Sequence, residues 1–92
     1  MVYVLQQLTV PDYAKFKSVF DDDSSMRRQR GSKGGRLLHS TENPKEYVAL
    51  LEWDDVEKAR KFINSSELRE AAGWAGIGIK QDLLEEVEEV SA

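Results

Sequence analysis

The segment ENPKEYVALLEWDDVEKARKF, residues 42–62, places a turn, a strand and the start of a helix in direct succession. The Asn-Pro pair predicts a turn, because the residue before a proline avoids the helical conformation. YVALLEW (47–53) is rich in aromatic, β-branched and aliphatic residues, which predicts a strand. Asp54, with Glu57 three residues later, is typical of a capping box that opens a helix. We therefore expect a strand that enters from a turn and leads directly into a helix.

On the N-terminal side, VYVLQQLTV (2–10) predicts a first strand, which Pro11 ends. Asp12 is a predicted N-cap, and apolar residues then recur at three- and four-residue spacing, which is typical of an amphipathic helix. This helix is expected to run to Arg30, with a bend at Ser24–Ser25 where Asp and Ser residues disfavour helix. RLLHST (36–41) predicts the second strand.

On the C-terminal side, the second helix is expected to end near NSS (64–66), with Ser66 capping a further turn that runs to Gly73. GWAGIGIK (73–80) has three glycines and is interpreted as a loop. The acidic stretch DLLEEVEEV (82–90) fits either a helix or a strand by its apolar spacing. We assign it as a strand, because a βαββαβ order lacks only a last strand.

This order of elements predicts an α+β fold: one ferredoxin-like domain over residues 1–92, with an antiparallel sheet covered by helices on one face. VYVL (2–5) and YVALL (47–51) are apolar at every position, although a strand with one face in water alternates apolar and polar residues. Both faces of these central strands are therefore expected to be buried. A homodimer that pairs two sheet faces is the simplest cause.

Composition limits the classes of function. The chain has a net charge of −4, which argues against nucleic-acid binding, since that requires a basic surface. No apolar run approaches the roughly 20 residues that span a bilayer, and no secretion leader is recognisable, so a cytoplasmic protein without a membrane partner is expected. With one histidine and no cysteine, neither a metal site nor a cofactor is expected.

The segment MRRQRGSKGGRLLH (26–39) concentrates five basic residues, while the rest of the chain carries a charge of −9. A phosphate-binding loop is excluded by order, because here a helix precedes the glycines and a strand follows them. Gly31 suits the left-handed position that ends a helix, and cations suit a helix C-terminus. The remaining positive charge has three interpretations: a solvated patch, an anion-attracting rim of a pocket, or a contact for the acidic tail of a second subunit.

Three passages carry a resemblance to a known family: MRRQRGSKGGRLL, ENPKEYVALLEWDDVEKARKF and SSELREAAGWAGI. Together they resemble the small antibiotic-biosynthesis-monooxygenase-like and cyclase-like proteins of the dimeric α+β-barrel superfamily, over nearly the whole chain. The resemblance implies a dimer whose two sheets form a barrel, and a small-molecule pocket between sheet and helices. Some relatives oxidise aromatic compounds with molecular oxygen and without metal or flavin, while others isomerise, cyclise, decarboxylate or degrade haem. A helix-borne haem ligand has no match here, which disfavours the last activity.

Five residues are candidates for the site. His39 is the natural general acid or base by its ordinary pKa, although a partly exposed strand histidine without a role is the alternative. Tyr13 and Trp74 are predicted to bind the substrate as pocket aromatics, because each combines apolar area with a polar group. Arg27 and Arg36 are predicted to attract an anionic group of the substrate.

Two functions remain open at this point. The first is an enzyme, a cofactor-independent oxygenase or a cyclase/isomerase acting on an aromatic or enolisable metabolite. The alternative is a noncatalytic ligand-binding or stress-associated protein with the same dimeric α+β-barrel fold. In both cases the expected partners are a second copy of the chain and a small organic ligand.

Overall fold

The computed structural model describes the backbone of residues 1–92 and every side chain except those of Glu67, Ala71, Ala72, Trp74 and Ala75. The described backbone forms four strands and four helices, with two consecutive helices in each connection between strands 1 and 2 and between strands 3 and 4. Their bounds are β1 Val2–Thr9, α1 Tyr13–Asp22, α2 Ser24–Arg30, β2 Ser32–His39, β3 Glu46–Trp53, α3 Val56–Ile63, α4 Ser66–Ala75 and β4 Gly78–Glu85. No helix in this described backbone is long and apolar enough to span a membrane.

The four strands form one antiparallel sheet in the order β2-β3-β1-β4. The predicted α+β, ferredoxin-like arrangement is therefore confirmed, with the second and fourth strands at opposite edges. The helices cover one face, and the core lies between them and the sheet. Its buried apolar members are Val4, Leu8, Val10, Phe16, Ala49, Leu51, Trp53, Ala59 and Phe62.

The helix boundaries follow local side-chain chemistry. Asp12 caps α1 as predicted, because its Oδ1 accepts a hydrogen bond from the Lys15 amide at 3.1 Å. The predicted bend is a break between α1 and α2 at Asp23, and Gly31 ends α2 with a φ of 118°. The N-cap of α3 lies one residue after the predicted position. Asp55, not Asp54, accepts from the amide of Glu57 at 2.8 Å.

The second strand begins earlier than predicted and also ends earlier, since β2 runs over residues 32–39 rather than 36–41. Gly34 and Gly35 lie inside the strand, where the register shifts between Ser32 and Gly34. Gly35 is needed at its position because a Cβ atom there would lie 2.1 Å from the carbonyl oxygen of Leu50. The glycines thus allow β2 to approach β3 closely.

The predicted fourth strand is confirmed, but its predicted bounds were wrong at both ends. Residues 73–80 are not a loop: α4 ends and β4 begins within them, and Ile79, Gln81 and Leu83 alternate toward the helices as in a strand. The predicted strand 82–90 stops at Glu85, because its partner β1 begins at Val2, which pairs with Glu85. One further backbone hydrogen bond follows, from the Glu86 amide to the Met1 carbonyl oxygen at 3.0 Å.

The face of the sheet opposite the helices carries apolar side chains without a covering layer. Strand alternation places them opposite the buried residues of β1 and β3, and Leu38 and Leu84 are 51% and 44% exposed. The apolar residues of this open face are Tyr3, Leu5, Leu38, Val48, Leu50 and Leu84. β1 and β3 therefore carry apolar side chains on both faces, and the expectation that the second face is buried by another copy of the chain stays a prediction.

Candidate functional site

An apolar pocket lies between the helices and the β1–β4 side of the sheet. Its cavity volume is about 40 Å³. The described residues that line it are Gln6, Leu8, Phe16, Val19, Phe20, Asp23, Arg27, Phe62, Leu68, Ile77 and Ile79. Because most of these are aliphatic or aromatic, the pocket suits an apolar ligand with few polar groups.

Helix and strand periodicities account for this lining. Phe16 and Phe20 stand four residues apart, so they share the face of α1 that packs on the sheet, with ring centroids 5.4 Å apart. Gln6 and Leu8 share the covered face of β1 because side chains two apart point the same way. The same rule places Ile79 opposite Leu8 on β4.

A buried amide is the polar group deepest in the lining. Gln6 is only 3% exposed, and its Nε2 donates to Oε1 of Gln81 at 3.0 Å. Nε2 of Gln81 in turn donates to the carbonyl oxygen of Ile63 at 3.4 Å. This chain of hydrogen bonds holds the Gln6 amide in one orientation, as a preformed polar contact for a ligand.

Two opposite charges line the pocket where α1 gives way to α2. The pKa of the Asp23 carboxyl is raised, first by its partial burial and further by Asp22, while Arg27 opposes the shift. The pKa of the Arg27 guanidinium is lowered by burial, with Asp23 and Asp21 opposing. Nη1 of Arg27 donates to the Phe20 carbonyl oxygen at 2.8 Å. The pocket therefore has one acidic and one basic group that are partly withdrawn from water.

Of the predicted site residues, Arg27 alone lines this pocket among those with described side chains. Tyr13 is 43% exposed and stacks on Tyr47 at a centroid distance of 5.2 Å. Arg36 lies on the edge strand β2 opposite Leu50, on the open face. The structure therefore brings Arg27 to the pocket and holds Tyr13 and Arg36 apart from it, and their substrate-binding roles stay predictions.

The other two predicted residues are His39 and Trp74. His39 ends β2 as an exposed side chain, with Nδ1 2.9 Å from the Ser40 carbonyl oxygen and its ring 6.0 Å from that of Tyr47. It lines a broad, open groove at that end of the sheet rather than the apolar pocket. Trp74 lies outside the described side chains. The catalytic role of His39 stays a prediction.

Asp23 and Gln6 are pocket residues that sequence reasoning missed. Gln6 could have been found from strand alternation, because it stands between Val4 and Leu8 on the buried face of β1. Asp23 offered a weaker signal, its position four residues before Arg27, which places both on one side of a helix. Its desolvation depends on residues far along the chain and had no sequence signal.

A basic groove adjoins the pocket where α2 turns into β2. The described residues that line it are Ser24, Arg27, Arg28, Ser32, Lys33 and Gly34. Lys33 Nζ lies 3.4 Å from Oδ2 of Asp54, the carboxylate that the sequence had suggested as a helix cap. Arg27 lines both cavities and so forms a wall between them. Among the described residues, no cluster of three His, Asp or Glu side chains could hold a metal ion.

Comparison with known proteins identifies the fold. No family model matches the chain, and no curated protein matches it by sequence. SnoaB, a cofactor-independent oxygenase from Streptomyces nogalater, matches with a TM-score of 0.79 and 19% identity over 99% of this chain and 97% of its own. A "putative antibiotic biosynthesis monooxygenase" from Deinococcus radiodurans matches with a TM-score of 0.76 and 14% identity, over 100% and 98%. The chain is thus similar in fold to antibiotic biosynthesis monooxygenases, and the resemblance stated above is confirmed at the level of the fold.

Proposed function

We propose that this protein is a cofactor-independent oxygenase, or a cyclase/isomerase of related mechanism, that acts on an aromatic or enolisable metabolite in the apolar pocket. One observation carries the proposal: a pocket between helices and sheet that combines apolar walls with a buried amide and a partly desolvated carboxyl. The fold shared with SnoaB supports it, since that protein is a cofactor-independent oxygenase.

Asp23 is the proposed general base of this reaction. A carboxylate with a raised pKa accepts a proton more readily than an ordinary one, and activated C–H or phenolic O–H groups become electron-rich on losing theirs. Gln6 is the proposed hydrogen-bonding partner of the substrate oxygen on which the resulting negative charge gathers. His39 would act as a base only on a substrate bound in the open groove. The reaction proposed for the apolar pocket does not involve it.

The oxygenase step balances with molecular oxygen as the only co-reactant. An activated methylene group loses a proton to the Asp23 carboxylate, and the carbanion transfers its electrons to oxygen to form a peroxide anion. The anion takes the proton back from Asp23 and becomes a hydroperoxide. The hydroperoxide then loses water and leaves a ketone, so that one methylene group and one oxygen molecule give one carbonyl group and one water molecule. The four electrons that oxygen gains come from the methylene carbon. In the absence of oxygen uptake, the same proton abstraction would serve an isomerase or cyclase.

The protein is also proposed to act as a homodimer joined through the open face of the sheet. The apolar residues of this face come from all four strands, and Leu38 and Leu84 among them are exposed. Apolar patches on a protein surface are typical of association sites. A second copy is the simplest partner, because one apolar face is self-complementary about a two-fold axis. This arrangement leaves the pocket on the other side of each sheet.

Oxygen uptake tests the enzymatic proposal. Purified protein is incubated with a panel of anthrones and hydroquinones in an oxygen-electrode cell, and the rate without protein is subtracted. We expect uptake above this background for at least one compound, and a loss of about 10²-fold or more in Asp23→Asn, as for removal of a general base. Glu42→Gln, the same carboxyl-to-amide change in an exposed turn, is the matched control. Binding of the compounds without uptake or rearrangement in any case would favour the noncatalytic alternative.

A further inference from the structure

We infer that two copies of the chain pair their open sheet faces about a two-fold axis parallel to the strands, so that Arg36 of each copy forms an ion pair with Asp82 of the other. This inference rests on the homodimer proposed above and specifies its geometry, which the apolar patch alone does not determine. One row of four residues that lie side by side across the sheet carries it: Arg36, Leu50, Leu5 and Asp82.

The strand register fixes this row. Arg36 on β2 lies opposite Leu50 on β3. Leu50 lies opposite Leu5 on β1, and Leu5 lies opposite Asp82 on β4. Residues directly opposite each other in antiparallel strands share a face of the sheet, so all four side chains lie on the open face. A cation therefore stands at one edge of this face and an anion at the other, with two leucines between them.

The two charges of the row cannot meet within one chain. Neighbouring strands lie about 4.8 Å apart, so three strand spacings put about 14 Å between the positions of Arg36 and Asp82. Both side chains are exposed, and within the described part of the chain neither makes a hydrogen bond or an ion pair. Each charge is therefore available to a group outside its own chain.

A two-fold axis parallel to the strands brings the two charges together. Rotation about such an axis, placed between β1 and β3, reverses the strand order β2-β3-β1-β4 and leaves each residue at the same level along the strands. Arg36 of one copy then faces Asp82 of the other, and Leu50 faces Leu5. Both copies make the same contacts, as an isologous interface requires. Two ion pairs thus flank four leucines.

The spacing of packed sheets suits this contact. Sheets that pack face to face lie about 10 Å apart, a gap that an arginine and an aspartate side chain can span when they point toward each other. Aligned sheets also keep their strand directions within about 30° of each other, so the β2 edge stays close to the β4 edge of the partner.

The same charges disfavour a two-fold axis perpendicular to the strands. Such an axis would set each edge strand over its own copy. The open-face residues of β2 are Gly34, Arg36 and Leu38, so Arg36 would face like charge or apolar side chains and no anion. An unpaired or like-charged cation in an interface is strongly unfavourable. On β4, Lys80 would face Asp82 of the partner, which makes this alternative distinguishable by experiment.

Two single variants and their mixture test the inference. Arg36→Glu sets two pairs of like charge into its own homodimer, and Asp82→Lys does so with the opposite sign. Each is expected to dimerise about 100-fold or more weakly than wild type, because like charges facing each other across an interface oppose association. An equimolar mixture should form a heterodimer of near wild-type affinity, since both of its cross-chain pairs again have opposite charges. Sedimentation velocity gives the dissociation constants, and native mass spectrometry distinguishes the heterodimer by mass.

Matched controls separate this contact from a change in net charge. Arg69→Glu and Glu70→Lys make equivalent charge changes on exposed side chains of α4, in the helical layer that covers the other face of the sheet. Each should dimerise like wild type, and their mixture should show no preference for the heterodimer. Thermal melting of every variant verifies that the fold is intact.

The remaining outcomes separate this inference from the proposed homodimer. A monomeric wild-type protein would overturn both together, whereas an Arg36→Glu protein that dimerises like wild type would overturn the ion pair alone. Failure of the mixed variants to form a heterodimer would also contradict the pairing. Recovery of Asp82→Lys by mixing with Lys80→Glu, and not with Arg36→Glu, would establish the perpendicular axis in its place.

Discussion

Both faces of the sheet carry apolar side chains, but the helices cover only one of them. On the covered face, Val4, Ala49 and Trp53 are completely buried under the helices. On the open face, Leu38 and Leu84 project with about half of their surface exposed. The exposed pair lies on the edge strands β2 and β4, but Leu5 and Leu50 of the central strands are also only partly buried on the open face. The difference therefore follows from what covers each face.

The two faces of the sheet contribute to different properties of the protein. The covered face supplies the stability of the monomer and, at its β1–β4 side, the pocket, because the helices stand off the sheet there. The open face supplies nothing to the monomer, since apolar area left in water gains no burial energy. Substitutions on the two faces should therefore change different quantities: unfolding on one, association on the other.

The largest effect is expected on the covered face, in Trp53→Ala. Trp53 is completely buried and packs on Phe62 at a centroid distance of 5.0 Å, so truncation should lower the free energy of unfolding by about 3–5 kcal/mol. Urea denaturation at a fixed protein concentration measures this. Trp53→Phe is the control. It should cost much less, because it keeps a ring in place and removes an indole N–H that has no hydrogen-bond partner among the described residues. Equal losses in both variants would contradict this account of the core.

The second effect is expected on the open face, in Leu50→Glu. Leu50 lies centrally on it, between Leu5 and Arg36 in the strand register. A charge there should cost about 3–5 kcal/mol of dimer stability if the face is covered by a second copy, and leave the monomer folded. Native mass spectrometry and light scattering measure the stoichiometry. Val56→Glu, on α3 and 38% exposed, is the matched control. A Leu50→Glu protein that stays dimeric would exclude this face as the interface.

The sequence predicts which segments form the strands of the two faces better than it predicts where those strands end. The strand YVALLEW was evident from composition, and its continuous apolar character predicted both the core and the open face. The end of the last strand was not predictable from its own residues, because it is set by the position of Val2 on a neighbouring strand. Local pattern therefore revealed the elements, while their lengths depended on pairing.

The site was less predictable than the fold. Arg27 was found because its segment carries more positive charge than a helix end needs, but sequence gave no reason to prefer it to Arg36. The register separates them, placing Arg36 on the open face of β2. Asp23 was missed because nothing local marks a carboxyl as desolvated. Its surroundings come from β1, β4 and α3, which lie far from it along the chain.

A third effect is expected where β2 meets β3, in Gly35→Ala. The added Cβ would lie 2.1 Å from the Leu50 carbonyl oxygen, so the two strands must separate, at a cost of about 1–3 kcal/mol. The control is Gly73→Ala in α4, where no described atom outside the neighbouring helix backbone lies within 4 Å of the added carbon. There the change should stabilise the helix by up to about 1 kcal/mol. Urea denaturation of both variants measures the difference in sign. Equal stability of the two variants would contradict the close approach of β2 to β3.

The smallest effect is expected at the pocket, in the pH dependence of Asp23→Asn. The pKa of Asp23 is raised in the folded state above its ordinary value of 3.8, chiefly by burial. A raised pKa means that the folded state holds its proton more tightly, so this group favours folding at low pH, and that contribution is lost as the pH rises through the folded pKa. The Asp23→Asn variant has no ionisable group at this position, so its stability does not fall in this way as the pH rises. Its melting temperature relative to wild type should therefore increase between pH 3 and pH 7, by an amount equivalent to less than about 1 kcal/mol because the group is partly exposed.

Asp23→Asn tests the pocket without the loss of a helix cap. Asp23 occupies the N-cap position of α2 without a side-chain capping hydrogen bond, so no cap is lost in the substitution. Glu42→Gln, in an exposed turn, is the control and should show no such trend across the same pH range. Differential scanning fluorimetry at fixed ionic strength follows all three proteins. A difference between Asp23→Asn and wild type that stays constant with pH, or shrinks as the pH rises, would show that Asp23 is as well hydrated as a carboxylate on the outer surface. The pocket would then lose its proposed base, while the contrast between the two faces of the sheet would stand.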